Sequence, residues 1–541
     1  MVLRRAKSIL FSPSGVCDTL DATVGPPGAM ANLINLIPDP SSRNLFQCRP
    51  AAVSHYTFGT FTTPGFVSVM KIIGTIVYGM IASGRNAGHD EPFAYDLQAA
   101  AVVTVSGTIT SATTPVSPSS AYVAWTPPTM DLVGVTLLVT HPGFPGGAGA
   151  YFGWFDLTNP SAPVWHAGNT TGTLLSAVPR AVAQFANRAW YAVGNAIYFS
   201  DVLVPLNLTN ASQILTLGDI TPVTALAGLP LNNQLGGIIQ SLIAFKDSVN
   251  MFQITGDAAS TSSPLALNAM NQATGTAAPN TITKTPNGLS FISPQGLRNI
   301  DFDGHISSVI GGDGDGMTTP FLYATVPSRM CAAYSNNTIR VSCQNAYVAG
   351  TPWQDWWYDI DREIWTGPHT FPASLIVPYN NSFIMTPQSI NANIFQSDAI
   401  QSTGSVFTEN GTPLAFIYQT SFFPDTREMA ANAVIESTIN MATDSGARAY
   451  NVTMQDTTGA ALGVCDVGSA GAVALWGHFI WGAAAWGAAG FPLSPRWLKW
   501  SAPVVFNKAS LSLNGMSGPA TKLGALYMRY QILKYLQQSL T

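Results

Sequence analysis

Trp357-Tyr358-Asp359-Ile360, returning five residues later through Ile364-Trp365, is the stretch that decides the fold. An aromatic strand runs into an aspartate, turns, and comes back through another aromatic. The same figure recurs as Trp154-Phe155-Asp156-Leu157 leading to Val164-Trp165, and its first half as Ala94-Tyr95-Asp96-Leu97. Aspartate suits such a turn because its carboxylate accepts backbone N–H groups two residues on, while aromatic and β-branched side chains fit a pleated face. Related hairpins read from Arg188 to Asp201, Leu242 to Ile254, Phe291 to Phe302 and Val377 to Met385. A degenerate hairpin repeated along most of a chain is how a β-propeller looks in sequence. Hairpin pairs allow six to eight blades, and six is the expected number.

Composition narrows what such a wheel could do. The chain has 541 residues, enough for one large repetitive β domain with appendages. Hydrophobic residues make up 47% and charged residues only 9%, against roughly 25% in ordinary soluble domains. Aromatic content of 10% excludes a disordered chain. A surface this poor in Lys and Glu suits a molecule covered by copies of itself, so an oligomer is expected. The net charge is −5 and no basic cluster exceeds Arg4-Arg5-Ala6-Lys7, which argues against strong binding to nucleic-acid phosphates. Such a surface permits DNA to slide past without sticking.

The five cysteines form no CxxC pair, so zinc has no support. Around the Asn336-Asn337 turn, Cys331 falls opposite Ser342 and Cys343 opposite Met330, so free thiols are expected. The triplets at Asn169, Asn207 and Asn336 match glycan acceptors, but in a chain so rich in Asn, Ser and Thr composition accounts for them. Met1 to Pro13 lacks the apolar run and small-residue site of a secretory signal.

The expected organisation has three parts. Residues 1–65, rich in Pro and Gly, form an extended N-terminal arm belonging to a platform. Residues 66–420 form the propeller, with loops at Thr110–Ser120 and Ala258–Thr281. Residues 421–541 form a C-terminal β-sandwich-like domain that includes the alternating runs Ala433–Met441 and Tyr450–Gln455. Its last strand places Leu526, Met528, Tyr530 and Ile532 on one face. Between those strands lies Val473 to Phe491, in which Trp476, Trp481 and Trp486 recur five apart, each followed by Gly. A period of five matches neither helix nor strand, so a packed loop of Trp-Gly turns is expected. An exposed hydrophobic tip or inter-subunit contact, and a membrane span, are the competing readings. The span is disfavoured by the Gly and Ala content and by His478.

No catalytic motif is present in the sequence: there is no G-x-S-x-G elbow, H-E-x-x-H or phosphate loop. Gly311 to Gly316 alternates Gly and Asp, but a calcium loop starting at Asp313 would need a carboxylate where Ala324 stands. Asp355, Asp359, Asp361 and Glu363 form the densest acidic group. Turn chemistry explains them better than a glycosidase acid pair, and the Ser-x-Asp-x-Gly-x-x-Trp box of sialidases is missing. No catalytic residue, metal ligand or cofactor is expected, and the chain reads as a building block, not an enzyme.

Three stretches together resemble the tail-hub and nozzle proteins of short-tailed bacteriophages, the tail tubular B and packaged-DNA stabilisation proteins. They are Gly25-Pro-Pro-Gly-Ala-Met-Ala-Asn-Leu-Ile-Asn-Leu-Ile-Pro-Asp-Pro40 leading to Cys48-Arg-Pro-Ala-Ala52, the irregular propeller with its Phe-Ser-Asp and Tyr-Asp ends, and the closing block from Trp500 to Gly515 and Leu523 to Tyr530. The resemblance implies a structural virion protein of the tail, assembled in the host bacterial cytoplasm. It further implies a hexamer stacked below portal and adaptor rings, neighbouring tail fibres or spikes, whose bore retains double-stranded DNA and conducts it during ejection. The rival expectation is a carbohydrate-binding or glycan-cleaving tail propeller that stacks sugars on Trp353, Trp356 and Trp357.

Overall fold

A computed structural model describes the chain except residues 1–5, 14, 17–28, 43, 59–66, 84–87, 111–112, 117–126, 148, 219, 233–236, 247–249, 259–263, 272–273, 311–320, 322–325, 345–352, 389–392, 402–404, 410, 424–429, 444–448, 469–490, 519–520 and 536–541. The described residues are all β apart from two short 3₁₀ turns, and they form an irregular propeller joined to a β-sandwich.

Seven antiparallel sheets follow one another as blades. Blade 1 spans Val67 to Val103, blade 2 Thr129 to Gly168, blade 3 Ala181 to Thr216 and blade 4 Val223 to Asn271. Blade 5, Thr283 to Ile300, has three strands; blade 6 runs from Cys331 to His369 and blade 7 from Ala373 to Asp398. First strands of neighbouring sheets lie against one another between blades 1 and 2, 2 and 3, 3 and 4, 5 and 6, 6 and 7, and 7 and 1. Lys71 of blade 1 reaches Asp131 of blade 2 at 2.5 Å, and Asp131 in turn accepts the Gln184 N–H of blade 3 at 2.6 Å. Apolar side chains fill each gap between sheets. Val69 and Tyr78 meet Leu137, Phe155 and Trp165 between blades 1 and 2, and Ala183 and Trp190 meet Leu242 and Ile254 between blades 3 and 4. Each large apolar side chain so buried contributes about 2 kcal/mol.

The wheel has seven blades where six were expected, because the seventh is completed from a distance. The hairpin around Val377 to Met385 reads as part of a sheet, and its outer edge is supplied by Val53–Thr57. Tyr56 of that strand stacks on Tyr95 of blade 1 with ring centroids 4.7 Å apart, tying the last blade to the first. Two further boundaries move. Val53–Thr57 belongs to the propeller although it lies within the segment read as arm, and Ala415–Thr420 belongs to the sandwich although it lies within 66–420. The stretch Ala258–Thr281, expected as a loop, contains the strand Ala266–Asn271, held on the outer edge of blade 4 by its ladder to Met251–Thr255.

The sandwich is built from both ends of the chain. Its larger sheet combines Ala6–Phe11, Leu36–Pro38 and Phe46–Cys48 with Ala430–Thr443, Phe491–Trp497, Val505–Phe506 and Lys522–Tyr535. The smaller combines Gly15–Val16 and Ala29–Ile34 with Ala415–Thr420, Ala449–Gln455, Ala461–Gly468 and Ser510–Met516. In the final strand Leu526, Met528 and Tyr530 are buried while Arg529 between them is exposed, the alternation expected of a half-buried strand. One core runs from this sandwich into the faces of blades 5 and 6, taking in Leu513, Met454, Trp356 and Trp365.

Candidate functional site

The chain passes between sandwich and propeller twice, inward at residues 49–52 and outward after blade 7, and both crossings meet beside blade 6. Arg49 is fully buried on the inward crossing. Its Nε donates to Asn35 Oδ1 at 2.8 Å and its Nη1 to the Pro50 carbonyl at 2.9 Å. Its Nη2 donates at 2.8 Å to Glu409, which lies on the outward crossing and also accepts the Ala52 N–H at 3.0 Å. One guanidinium therefore pins both crossings together.

Blade 6 supplies the other half of this joint. Arg340 and Asp355 stand on adjacent strands and form a two-pronged, fully buried pair at 2.9 and 2.7 Å. Arg340 also donates to the Phe371 carbonyl at 2.9 Å and lies 4.9 Å from the Trp357 ring centroid, and Trp357 Nε1 donates to Asp355 at 3.1 Å. Burial raises the Asp355 carboxyl above its ordinary value while Arg340 pulls it back. Next to this pair, His369 Nδ1 accepts the Asn35 backbone N–H at 2.9 Å. An amide can only donate, so Nδ1 carries no proton, and Nε2 faces Thr366 Oγ1 at 3.3 Å. Burial, then Arg49 and Arg340, push His369 well below the usual imidazole value. Asn35 can turn the chain here because it adopts the left-handed conformation, φ 56°, which asparagine tolerates.

This arrangement is suited to holding parts together. Two cations face two carboxylates, a neutral imidazole fills the space between, and every group but Glu409 belongs to the buried interior. Removing one partner of such a set is costly because its mate is left charged in a dry site.

The acidic group read from sequence is divided by the structure. Asp359 behaves as turn chemistry requires, accepting the Arg362 N–H at 2.9 Å, and Asp361 and Glu363 are exposed in the same turn. Asp355 does not: it stands within the strand Trp353–Asp359, paired to Arg340. The tryptophans proposed as sugar platforms are corrected likewise. Trp356 and Trp357 are buried in the core, and Trp353 is half-buried with Arg329 4.9 Å above its ring. Neither Cys331 nor Cys343 is in a disulfide, and burial raises both thiols well above the ordinary range. Trp476, Trp481 and Trp486, and the Gly311–Gly316 turn, lie outside the described residues.

Sequence reading missed two features. The first is the joint itself, whose members are separated by up to several hundred residues. The second is the turn after blade 5, where Asp301, Asp303 and His305 bring ligand-type atoms within 4.8 Å of one another. Asp301 there accepts the Asp303 and His305 amides at 2.9 and 2.8 Å, the same turn chemistry as at Asp96 and Asp156. Among the described residues no helix is long and apolar enough to cross a membrane.

No family model and no curated protein matches the sequence. Several solved structures are similar at low identity. The structure of BBS1N in complex with ARL6DN is 9% identical, covering 66% of this chain and 99% of that one with a TM-score of 0.36. The Dos1 propeller is 10% identical over 68% of this chain and 91% of its own, TM-score 0.34. The Trypanosoma rangeli sialidase is 7% identical over 94% and 95%, TM-score 0.27.

Proposed function

We propose that this chain is a structural subunit of a ring in the tail of a short-tailed bacteriophage, a nozzle or hub that retains packaged DNA and conducts it at ejection. The reading rests on the three stretches that resemble that family and on one surface of the sandwich. Across the outer face of the larger sheet, Leu10, Tyr527, Thr438 and Trp497 stand in register in a single row. Leu10 is 70% exposed and Trp497 61%, and the exposed Ile435 and Val505 extend the same face. The charges there reduce largely to Arg529 directly opposite Glu436. An apolar sheet face of this kind is a liability for a lone subunit and is removed from water when copies close into a ring. A chain with 9% charged residues also offers a passing DNA few groups to grip.

The test is the mass and shape of the purified protein. Native mass spectrometry and imaging should find a closed ring of about six copies, and Leu10→Glu with Trp497→Glu should shift the population toward single subunits. A monomer or trimer that degrades polysaccharide would overturn the reading in favour of a glycan-acting propeller.

A further inference from the structure

The joint holds an imidazole in a place where only its neutral form fits. Arg49 faces it from the inward crossing and Arg340 from blade 6, with Asp355 as its cross-strand neighbour; Glu409 on the outward crossing pairs with Arg49, and the link between blades 6 and 7 contributes the Phe371 carbonyl to Arg340. The two guanidiniums are already matched by two carboxylates. Asp355 is the cross-strand neighbour of His369, yet its oxygens are occupied by Arg340 and Trp357. Among the described residues no further carboxylate is placed to welcome a third cation.

We propose that His369 is a proton-operated latch: a proton taken from solvent at Nδ1 abolishes the Asn35 hydrogen bond, sets a third positive charge beside Arg49 and Arg340, and loosens the sandwich from blade 6. The effect has a definite sign. The folded imidazole titrates below its ordinary value of 6.5, so as pH falls the unfolded or unlatched chain binds the proton first. The stability contributed by the neutral ring is complete above about pH 6.5 and is lost below it. His141, the other deeply buried histidine among the described residues, provides an internal contrast. Its Nδ1 accepts the Gly143 N–H while Nε2 lies 2.9 Å from Asp90, so a negative partner is already present. The latch is independent of whether the chain forms a tail ring.

Hydrogen exchange of the full chain, corrected for intrinsic rates and compared at about pH 7.5 and 5.5, tests this across the ordinary imidazole range. Protection at Asn35 and over residues 366–371 should fall by up to roughly tenfold at the lower pH while blades 3 and 4 keep theirs. His369→Gln retains a carbonyl acceptor for Asn35 and cannot titrate, so in that variant the fall should vanish. The proposal is overturned if wild-type protection at the joint ignores pH, if it falls equally everywhere or first around His141, or if the fall persists in the variant. Should the variant not fold, the wild-type pattern alone decides between these outcomes.

Discussion

The propeller and the sandwich are made of the same kind of strand but are assembled on opposite principles. Each blade from 1 to 6 is a contiguous piece of chain whose strands pair in chain order, blade 3 passing over the short strand Asn207–Leu208. In the sandwich, Leu10 pairs with Tyr527 and Met30 with Thr420, so neighbours in space come from opposite ends of the sequence. Loop-closure entropy is low for the first and high for the second. The difference teaches that the propeller is specified locally, whereas the sandwich relies on a few long-range anchors, with the Arg49–Glu409 and Arg340–Asp355 joint uniting the two.

Asp355→Ala should therefore act on both regions. It strands Arg340 in a site with no exposure, and loss of one member of a buried pair costs about 3–5 kcal/mol. Urea unfolding should show that loss, with sandwich and blade 6 losing exchange protection together. A change confined to one of them would break the view of a shared joint.

Gly153→Ala should stay local. A Cβ at this position would fall 2.2 Å from the buried Trp165 ring, forcing the indole out of the gap between blades 1 and 2. Overpacking of this kind costs about 1–3 kcal/mol, and exchange in the sandwich should not change. Tyr418→Phe is the counterpart in the sandwich. Tyr418 donates to the Gly524 carbonyl at 2.8 Å, bridging the two sheets, and its loss should cost about 1 kcal/mol. Melting should shift slightly while blades 2 to 4 retain their protection; a loss there would show that the sandwich props up the whole wheel.

The same contrast explains what could be read in advance. The turn aspartates were legible because their partners are two or three residues away: Asp96 accepts the Gln98 and Ala99 amides, and Asp156 the Thr158 amide and hydroxyl. The final strand was legible because its alternation survives without knowledge of its neighbours. Val53–Thr57 was not, since it follows Pro- and Gly-rich sequence and its ladder partner lies beyond blade 6. Nor was the joint: Asn35 and His369 are 334 residues apart. One signal was available. In a chain with 23 Lys and Arg, a carboxylate set between tryptophans, Trp353-Gln354-Asp355-Trp356-Trp357, needs a buried cation as well as a turn. The Cys48-Arg-Pro-Ala-Ala52 stretch of the family resemblance holds the second cation of the joint, Arg49, which pairs with Glu409.

The strand Val53–Thr57 also sets a timetable. A ribosome delivers it before any blade exists, yet its partner Asn393–Asp398 emerges more than three hundred residues later. At about 5–20 residues per second, that separation amounts to tens of seconds during which early blades can pair while the wheel stays open. An unpaired edge held for so long is an invitation to the wrong neighbour, so within the wheel the seventh blade is where a nascent copy is most exposed to capture by another.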